Sequence, residues 1–124
     1  MNPISTSSAP AAIGPYCQAM VHNGIVYTSG QIPLDAKTGA IVRSSITDQA
    51  HQVLKNLSAV LREAGSGMDK VVKTTCFLAD MQDFAPFNEV YAQYFTGKPA
   101  RSCVAVRTLP KNVLVEVECV AVVE

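Results

Sequence analysis

The chain of 124 residues has the length of one domain, and we expect a single domain over residues 1–124. Its 48% hydrophobic and 16% charged residues exclude disorder as the overall state, because enough apolar surface is available for a core. Ten basic and ten acidic residues give zero net charge. The basic residues are scattered singly, which does not favour binding to nucleic acid through phosphate neutralisation. No apolar run approaches the ~20 residues that span a membrane.

The N-terminal segment lacks the features of a targeting sequence. Its first ten residues, MNPISTSSAP, contain no basic residue and no apolar run, so the expected location is the cytoplasm. The four cysteines have no CxxC spacing and are expected to be free thiols. His22 and His51 share no ligand spacing with a cysteine or a carboxylate, so no metal site is expected.

The first half of the chain predicts a β-hairpin followed by a long helix. Strand-like runs within 16–29 flank Asn23-Gly24, a dipeptide typical of type I′ turns, and a short third strand is expected over 39–42. Thr47 is the predicted N-cap of the helix, and Gly65 can supply the left-handed residue after its end. Apolar residues recur between them at helical spacing, at Ile46, Ala50, Val53, Leu54, Leu57, Val60, Leu61 and Ala64. The opposite helix face is polar and carries Gln49, Gln52, Lys55, Asn56, Arg62 and Glu63.

The second half predicts a strand over 71–78, a helix from Asp80 or Asp83 to about Phe95, and two strands over 101–106 and 113–123. The elements predict an α+β fold in which two helices cover one face of a mixed sheet. Both sides of the last strand are largely apolar, so both should meet protein. A partner subunit is the simplest cover for the other face, in a closed symmetric oligomer.

Arg101 and Cys103 are the first candidates for a functional site, because alternation places both side chains on one sheet face. If the last two strands form a hairpin that pairs Cys103 with Glu116, all three residues cluster; a slip of one residue separates them. A guanidinium can bind a substrate carboxylate with two prongs, and a nearby carboxylate can orient or deprotonate water. The set suits hydrolysis of a small carboxylic acid. A structural ion pair between Arg101 and Glu116 explains the same spacing.

Weaker candidates surround this set. Tyr16 follows the rigid Ile13-Gly14-Pro15 turn and either offers its hydroxyl to a site or only packs. Gly30 follows a strand, where a glycine lets a ligand approach the backbone. Cys103 has no histidine near it in sequence, which disfavours a nucleophilic role.

Six colinear segments together resemble the RidA family of reactive-intermediate deaminases, also called the YjgF/YER057c/UK114 family. The resemblance covers nearly the whole chain. Its segments are APAAIGPYCQ at 9–18, YTSGQIP at 27–33, VKTTCFL at 72–78, DFAPFNEVY at 83–91, PARSCV at 99–104, and LPK at 109–111 followed by VEVE at 115–118.

This resemblance implies a chorismate-mutase-like α+β fold that assembles as a homotrimer, with ligand sites in the clefts between subunits. It also implies a 2-iminobutanoate/2-iminopropanoate deaminase. Such an enzyme hydrolyses reactive enamine and imine intermediates, for example 2-aminoacrylate, to 2-keto acids and ammonia without a cofactor. Two alternatives stay open: an endoribonuclease that inhibits translation, and a non-catalytic trimer that binds keto acids or acts like a chaperone.

The resemblance also implies roles for single residues. Arg101 matches the arginine that clamps the substrate carboxylate, and Glu116 matches the glutamate that positions water near the imine carbon. Tyr16 matches the site tyrosine. The remaining matched positions line the cleft, namely Cys103, Ser29, Gly30 and Asn88. The loop 96–98 is shorter than in many relatives, which is expected to alter the cleft rim.

Overall fold

A computed structural model describes residues 1–124 as one six-stranded sheet with two α-helices. The strands are β1 (Asn2–Ile4), β2 (Ala19–His22), β3 (Ile25–Thr28), β4 (Val71–Leu78), β5 (Ala100–Ala105) and β6 (Val115–Val122). The helices are α1 (Ile46–Glu63) and α2 (Phe84–Tyr94). Short 3₁₀ turns over Met68–Lys70, Met81–Asp83 and Pro110–Asn112 lead into β4, α2 and β6.

The predicted hairpin is confirmed as β2 and β3. Its turn has φ of 52° at Asn23 and 77° at Gly24, the two positive values that a type I′ turn requires. β1 was not predicted; it pairs antiparallel with β2 at the sheet edge. The predicted strand over 39–42 is wrong, because this segment forms only an isolated bridge between Leu34 and Ile41.

The strand order is β1-β2-β3-β6-β4-β5, so β6 lies between β3 and β4. The predicted hairpin of the last two strands is therefore wrong. α2 carries the chain from β4 across to β5, and a strand reached by such a helical crossover lies parallel to its predecessor. The chain then returns to the other edge of β4 and inserts β6 antiparallel to both of its neighbours. This central position agrees with the apolar character of both sides of β6.

The core lies between the sheet and the two helices, which cover the same face as expected. β6 contributes alternate residues that are almost fully buried, Val115, Val117, Cys119 and Ala121. α1 contributes its apolar stripe, with Ala50, Val53, Leu54, Leu57, Val60 and Leu61 buried. Gly65 has the predicted positive φ of 83° after α1.

Two predictions about α1 are corrected. Ser45, rather than Thr47, is the N-cap: its backbone is extended, and its side chain accepts a hydrogen bond from Asp48 N at 3.1 Å. Gln49 and Asn56, placed on the polar face by periodicity, are buried. Their amides satisfy backbone groups, since Gln49 Oε1 accepts from Leu114 N and Asn56 Nδ2 donates to the carbonyls of Ile32 and Leu34.

The opposite face of the sheet is not covered within the chain. Tyr27 and Val104 lie on this face with exposed fractions of 49% and 47%. Glu116, Glu118 and Val120 of β6 lie between them and are half-buried. We call this surface the open face. Neither helix has the length and hydrophobicity that a membrane crossing needs.

Candidate active site

The residues singled out from the sequence divide into two groups on opposite faces of the sheet. Arg101 pairs with Thr74, which pairs with Cys119 on the helix-covered face. Glu116 pairs with Phe77, on the open face. The register that would have joined Cys103 to Glu116 is therefore absent, and Cys103 pairs with Cys76 instead. The two groups line separate cavities.

The first group surrounds Arg101 at the start of β5. Arg101 and Asn88 line a cavity of about 730 Å³ together with residues of the loop 96–99. The guanidinium Nη1 donates a hydrogen bond to Asn88 Oδ1 at 2.5 Å. Its carbon Cζ lies 4.7 Å from the ring centroid of Tyr91 and 5.4 Å from that of Phe84.

α2 supplies all three of these contacts. Phe84, Asn88 and Tyr91 are spaced by four and three residues, so they share one face of the helix. No carboxylate pairs with Arg101, because Glu116 lies across the sheet; the structural ion pair between these residues is excluded within one chain. Arg101 thus keeps N–H groups available to an anion.

Cys103 lies two residues after Arg101 on the same face of β5 and is half-buried, but it does not line the Arg101 cavity. Burial raises the pKa of its thiol, and the nearby Arg101 opposes this only in part. A thiol with a raised pKa is protonated at neutral pH and is a poor nucleophile. Burial also raises the pKa of the adjacent Cys76 to about 12. All four cysteines are free, as expected.

The second group lies at the end of β3 against β6. Tyr16, Ser29, Gly30 and Glu116 line one cavity of about 360 Å³. Gln31 exchanges backbone hydrogen bonds with Val117, which brings Gly30 against the Glu116 side chain.

Gly30 is required by this contact. A Cβ atom at position 30 would overlap Glu116 Oε2 and lie 2.8 Å from Glu116 Cδ. Partial burial, followed by repulsion from Glu118, raises the pKa of Glu116. A carboxylate of raised pKa beside a cavity is suited to accept a proton from water.

Tyr16 and Ser29 differ in what they offer. Tyr16 is 54% exposed, and its backbone N–H donates to Gly14 O at 2.8 Å in the predicted turn. Ser29 Oγ donates to Cys17 O at 2.7 Å, so this hydroxyl fastens the end of β3 to the Tyr16 segment.

Sequence reasoning missed the residue that holds that segment in place. Gln18 is buried, accepts from Thr6 N at 2.6 Å through Oε1 and donates to Pro10 O at 2.8 Å through Nε2. It also missed Phe84 and Tyr91 as neighbours of Arg101. Their helical spacing with Asn88 is the signal that could have identified them.

No group of three histidine, cysteine, aspartate or glutamate side chains lies close enough to hold a metal ion. His51 instead forms a hydrogen bond of 2.9 Å between its Nδ1 and Tyr94 Oη, and thereby joins α1 to α2.

A mixed sheet backed by two helices is the chorismate-mutase-like α+β fold found in solved structures of the YjgF and L-PSP proteins, to which this chain is similar along its length. The profile of the family described as Endoribonuclease L-PSP matches residues 6–123. The chain therefore belongs to the RidA family, and the resemblance seen in its motifs is confirmed.

Three relatives show how the family's names differ. The RutC family protein slr0709 of Synechocystis is 56% identical, over 98% of this chain and 96% of its own. The 2-iminobutanoate/2-iminopropanoate deaminase of Mus musculus is 48% identical, over 96% of this chain and 89% of its own. The crystal structure of TdcF from E. coli with bound serine is 43% identical, covers both chains fully and has a TM-score of 0.95.

Proposed function

We propose that this protein is a 2-imino acid deaminase that hydrolyses 2-iminopropanoate and 2-iminobutanoate to 2-keto acids and ammonia. The observation that carries the proposal is the state of Arg101: its side chain lines a cavity, is held by α2 and has no carboxylate partner. A guanidinium in this state is suited to a small carboxylate. The name of the mouse relative and the serine bound to TdcF agree with such a ligand.

A complete site needs two subunits under this proposal. Arg101 and Glu116 lie on opposite faces of one sheet, so one chain cannot present both to one small molecule. We assign Arg101, Asn88 and Cys103 to one half-site and Tyr16, Ser29, Gly30 and Glu116 to the other. The open face is apolar enough to pack against neighbouring copies, which supports a homotrimer with a site in each cleft.

The proposed reaction is the hydrolysis of an imine that is already electrophilic, so the protein needs only to position the substrate and a water molecule. 2-Aminoacrylate tautomerises to 2-iminopropanoate, whose C2 is electrophilic. Arg101 binds the carboxylate, and Glu116 orients a water molecule and accepts its proton as oxygen adds to C2. The proton passes to nitrogen, the C–N bond breaks, and one keto acid and one ammonia leave for each water consumed. Tyr16 lines the Glu116 cavity and can hydrogen-bond the reacting atoms. We propose no cofactor.

The first test is replacement of Arg101. A serine or threonine dehydratase generates 2-aminoacrylate in the assay, and semicarbazide traps the imine that escapes enzymatic hydrolysis. We expect the wild-type protein to accelerate keto-acid formation. Arg101→Ala should lower the rate about 10- to 100-fold, because it removes charge-assisted hydrogen bonds to the substrate. Arg62→Ala, which removes an exposed arginine on α1, is the matched control and should keep full activity.

Other outcomes would favour the alternatives. Full activity of a folded Arg101→Ala protein would contradict the carboxylate clamp. Binding of a keto acid without turnover would favour a non-catalytic ligand-binding protein. RNA cleavage that survives Arg101→Ala would favour the endoribonuclease named by the family description.

The cytoplasmic location stays a prediction, and a plant relative is named as chloroplastic.

A further inference from the structure

Tyr91 lies beside Arg101 and is fixed by several contacts of its own. It lies on α2 with only 8% of its surface exposed, and its ring faces the Arg101 guanidinium at 4.7 Å from centroid to Cζ. The ring also packs against Phe87 and Phe95, with centroids 5.7 Å and 4.4 Å away. The aromatic neighbours therefore fix the orientation of the face that Tyr91 turns toward Arg101.

Thr74 holds the far end of the same ring. Its side chain is fully buried on β4, and its Oγ1 lies 2.7 Å from Tyr91 Oη in a buried hydrogen bond. Thr74 is also the residue that pairs with Arg101 in the parallel register of β4 and β5. The backbone of Arg101 and the ring beneath its guanidinium are thus both fastened to one residue.

We propose that Tyr91, anchored by Thr74, is a positioning residue that holds the Arg101 guanidinium in the orientation that receives a carboxylate. An arginine on a flexible stem loses rotamer freedom when it binds, and a preset orientation reduces that cost. Asn88 fixes one nitrogen of the fork, and the Tyr91 ring keeps the plane of the fork in place.

The titration behaviour of Tyr91 agrees with this role. Burial raises the pKa of Tyr91, and the hydrogen bond with Thr74 and the charge of Arg101 oppose the rise only in part. The phenol of Tyr91 is therefore uncharged at neutral pH. It acts on Arg101 through its π face and does not form an ion pair.

The direct test is the NMR signal of the Arg101 side-chain Nε–H group, assigned by its loss in Arg101→Ala. In the wild-type protein we expect an upfield ring-current shift and an order parameter near 0.8, typical of a rigid group. Tyr91→Leu should reduce the shift to the part that the more distant Phe84 ring contributes, and should lower the order parameter below about 0.6. An unchanged order parameter in a folded Tyr91→Leu protein would overturn the proposal.

Two milder variants isolate the anchor. Tyr91→Phe and Thr74→Val each remove the hydrogen bond and keep the ring. We expect each to lower the Arg101 order parameter less than Tyr91→Leu, and the double variant to lower it no further, since the hydrogen bond is shared. If the double variant lowers the order parameter by the sum of the two single losses, the role of Thr74 is overturned. These variants also keep the test decisive if Tyr91→Leu does not fold.

The functional consequence rests on the proposed deaminase and is measured by binding of 2-oxobutanoate. Tyr91→Leu should weaken that binding about tenfold, and should have no effect in an Arg101→Ala background. A merely structural role would weaken binding in both backgrounds, and that result would overturn the proposal. If the wild-type protein binds no keto acid while the NMR result holds, the proposed function fails and the positioning of Arg101 stands.

Discussion

The absence of a side chain at Gly30 determines where the Glu116 carboxylate can lie. The carboxylate occupies space that a Cβ atom at position 30 would need. The obstacle to a side chain at position 30 is the far end of a flexible glutamate. A methyl group there is accommodated when the carboxylate moves away. Gly30 therefore matters to the site more than to the fold.

We predict that Gly30→Ala lowers deaminase activity about 100-fold, since a displacement of about 1 Å can misplace a reacting group this severely. The free energy of unfolding should change by less than about 1 kcal/mol. Gly97→Ala is the matched control, because a Cβ atom at Gly97 meets nothing within 4 Å and Gly97 itself does not line the Arg101 cavity. Kinetic assays and urea denaturation measure the two effects. Full activity of Gly30→Ala would contradict the role given to the Glu116 carboxylate.

The protonation state of Glu116 should determine how the activity depends on pH. The proposed mechanism uses the carboxylate form, so activity should rise as pH increases through the pKa of Glu116. Burial and the neighbouring Glu118 raise this pKa above the ordinary glutamate value of 4.5. The acid limb of the pH–rate profile is expected at correspondingly higher pH.

We predict that Glu118→Gln moves this acid limb to lower pH, because it removes the like charge that disfavours ionisation of Glu116. The limb is measured as kcat/KM against pH. Glu63→Gln, at an exposed position on α1, should leave the limb unmoved. A limb that does not respond to Glu118→Gln would show that another group limits the reaction in acid.

At the scale of secondary structure, the sequence pattern of α1 predicted the helix itself but not its N-cap or its buried polar residues. Its apolar stripe predicted the helix almost to the residue, because burial of a stripe repeats every 3.6 residues. The same periodicity could not choose between Ser45 and Thr47 as the cap, since both are hydroxyl residues ahead of one acidic residue. It also could not distinguish Gln49, whose amide binds a buried backbone N–H, from a solvated glutamine.

The pairing of β5 and β6 illustrates a different limit. Alternation predicted both strands, because each strand carries its own pattern. The neighbour of a strand depends on the whole sheet, and here the crossover through α2 places β5 beside β4. The candidate residues could therefore be named from motifs, while their division between the two faces of the sheet required the strand order.

At the scale of the whole molecule, the proposed division of the site between two subunits would make deaminase activity a property of the assembly. We predict that Arg101→Ala and Glu116→Gln proteins, each strongly impaired alone, recover activity when co-expressed with different tags and purified as mixed trimers. In the proposed trimer, each cleft needs an intact Arg101 from one subunit and an intact Glu116 from the next. Every doubly purified trimer contains both variants and has one intact cleft in three, so about a third of the sites should be restored.

The controls are each variant co-expressed with itself under both tags, which should keep the low activity of that variant. Deaminase assays on the doubly purified trimers measure the recovery, and light scattering confirms their mass. Mixed trimers without activity would show that both groups act within one subunit, against the proposed shared site.

The position of β6 in the sheet also bears on how the protein is made. β6 is the last of the six strands along the chain, yet it separates β3 from β4. During translation the earlier strands leave the ribosome with a gap where β6 will insert. The buried stripe of α1 then has no finished sheet to pack against. The nascent chain must carry this apolar surface, in contact with solvent or a chaperone, until the final strand has emerged.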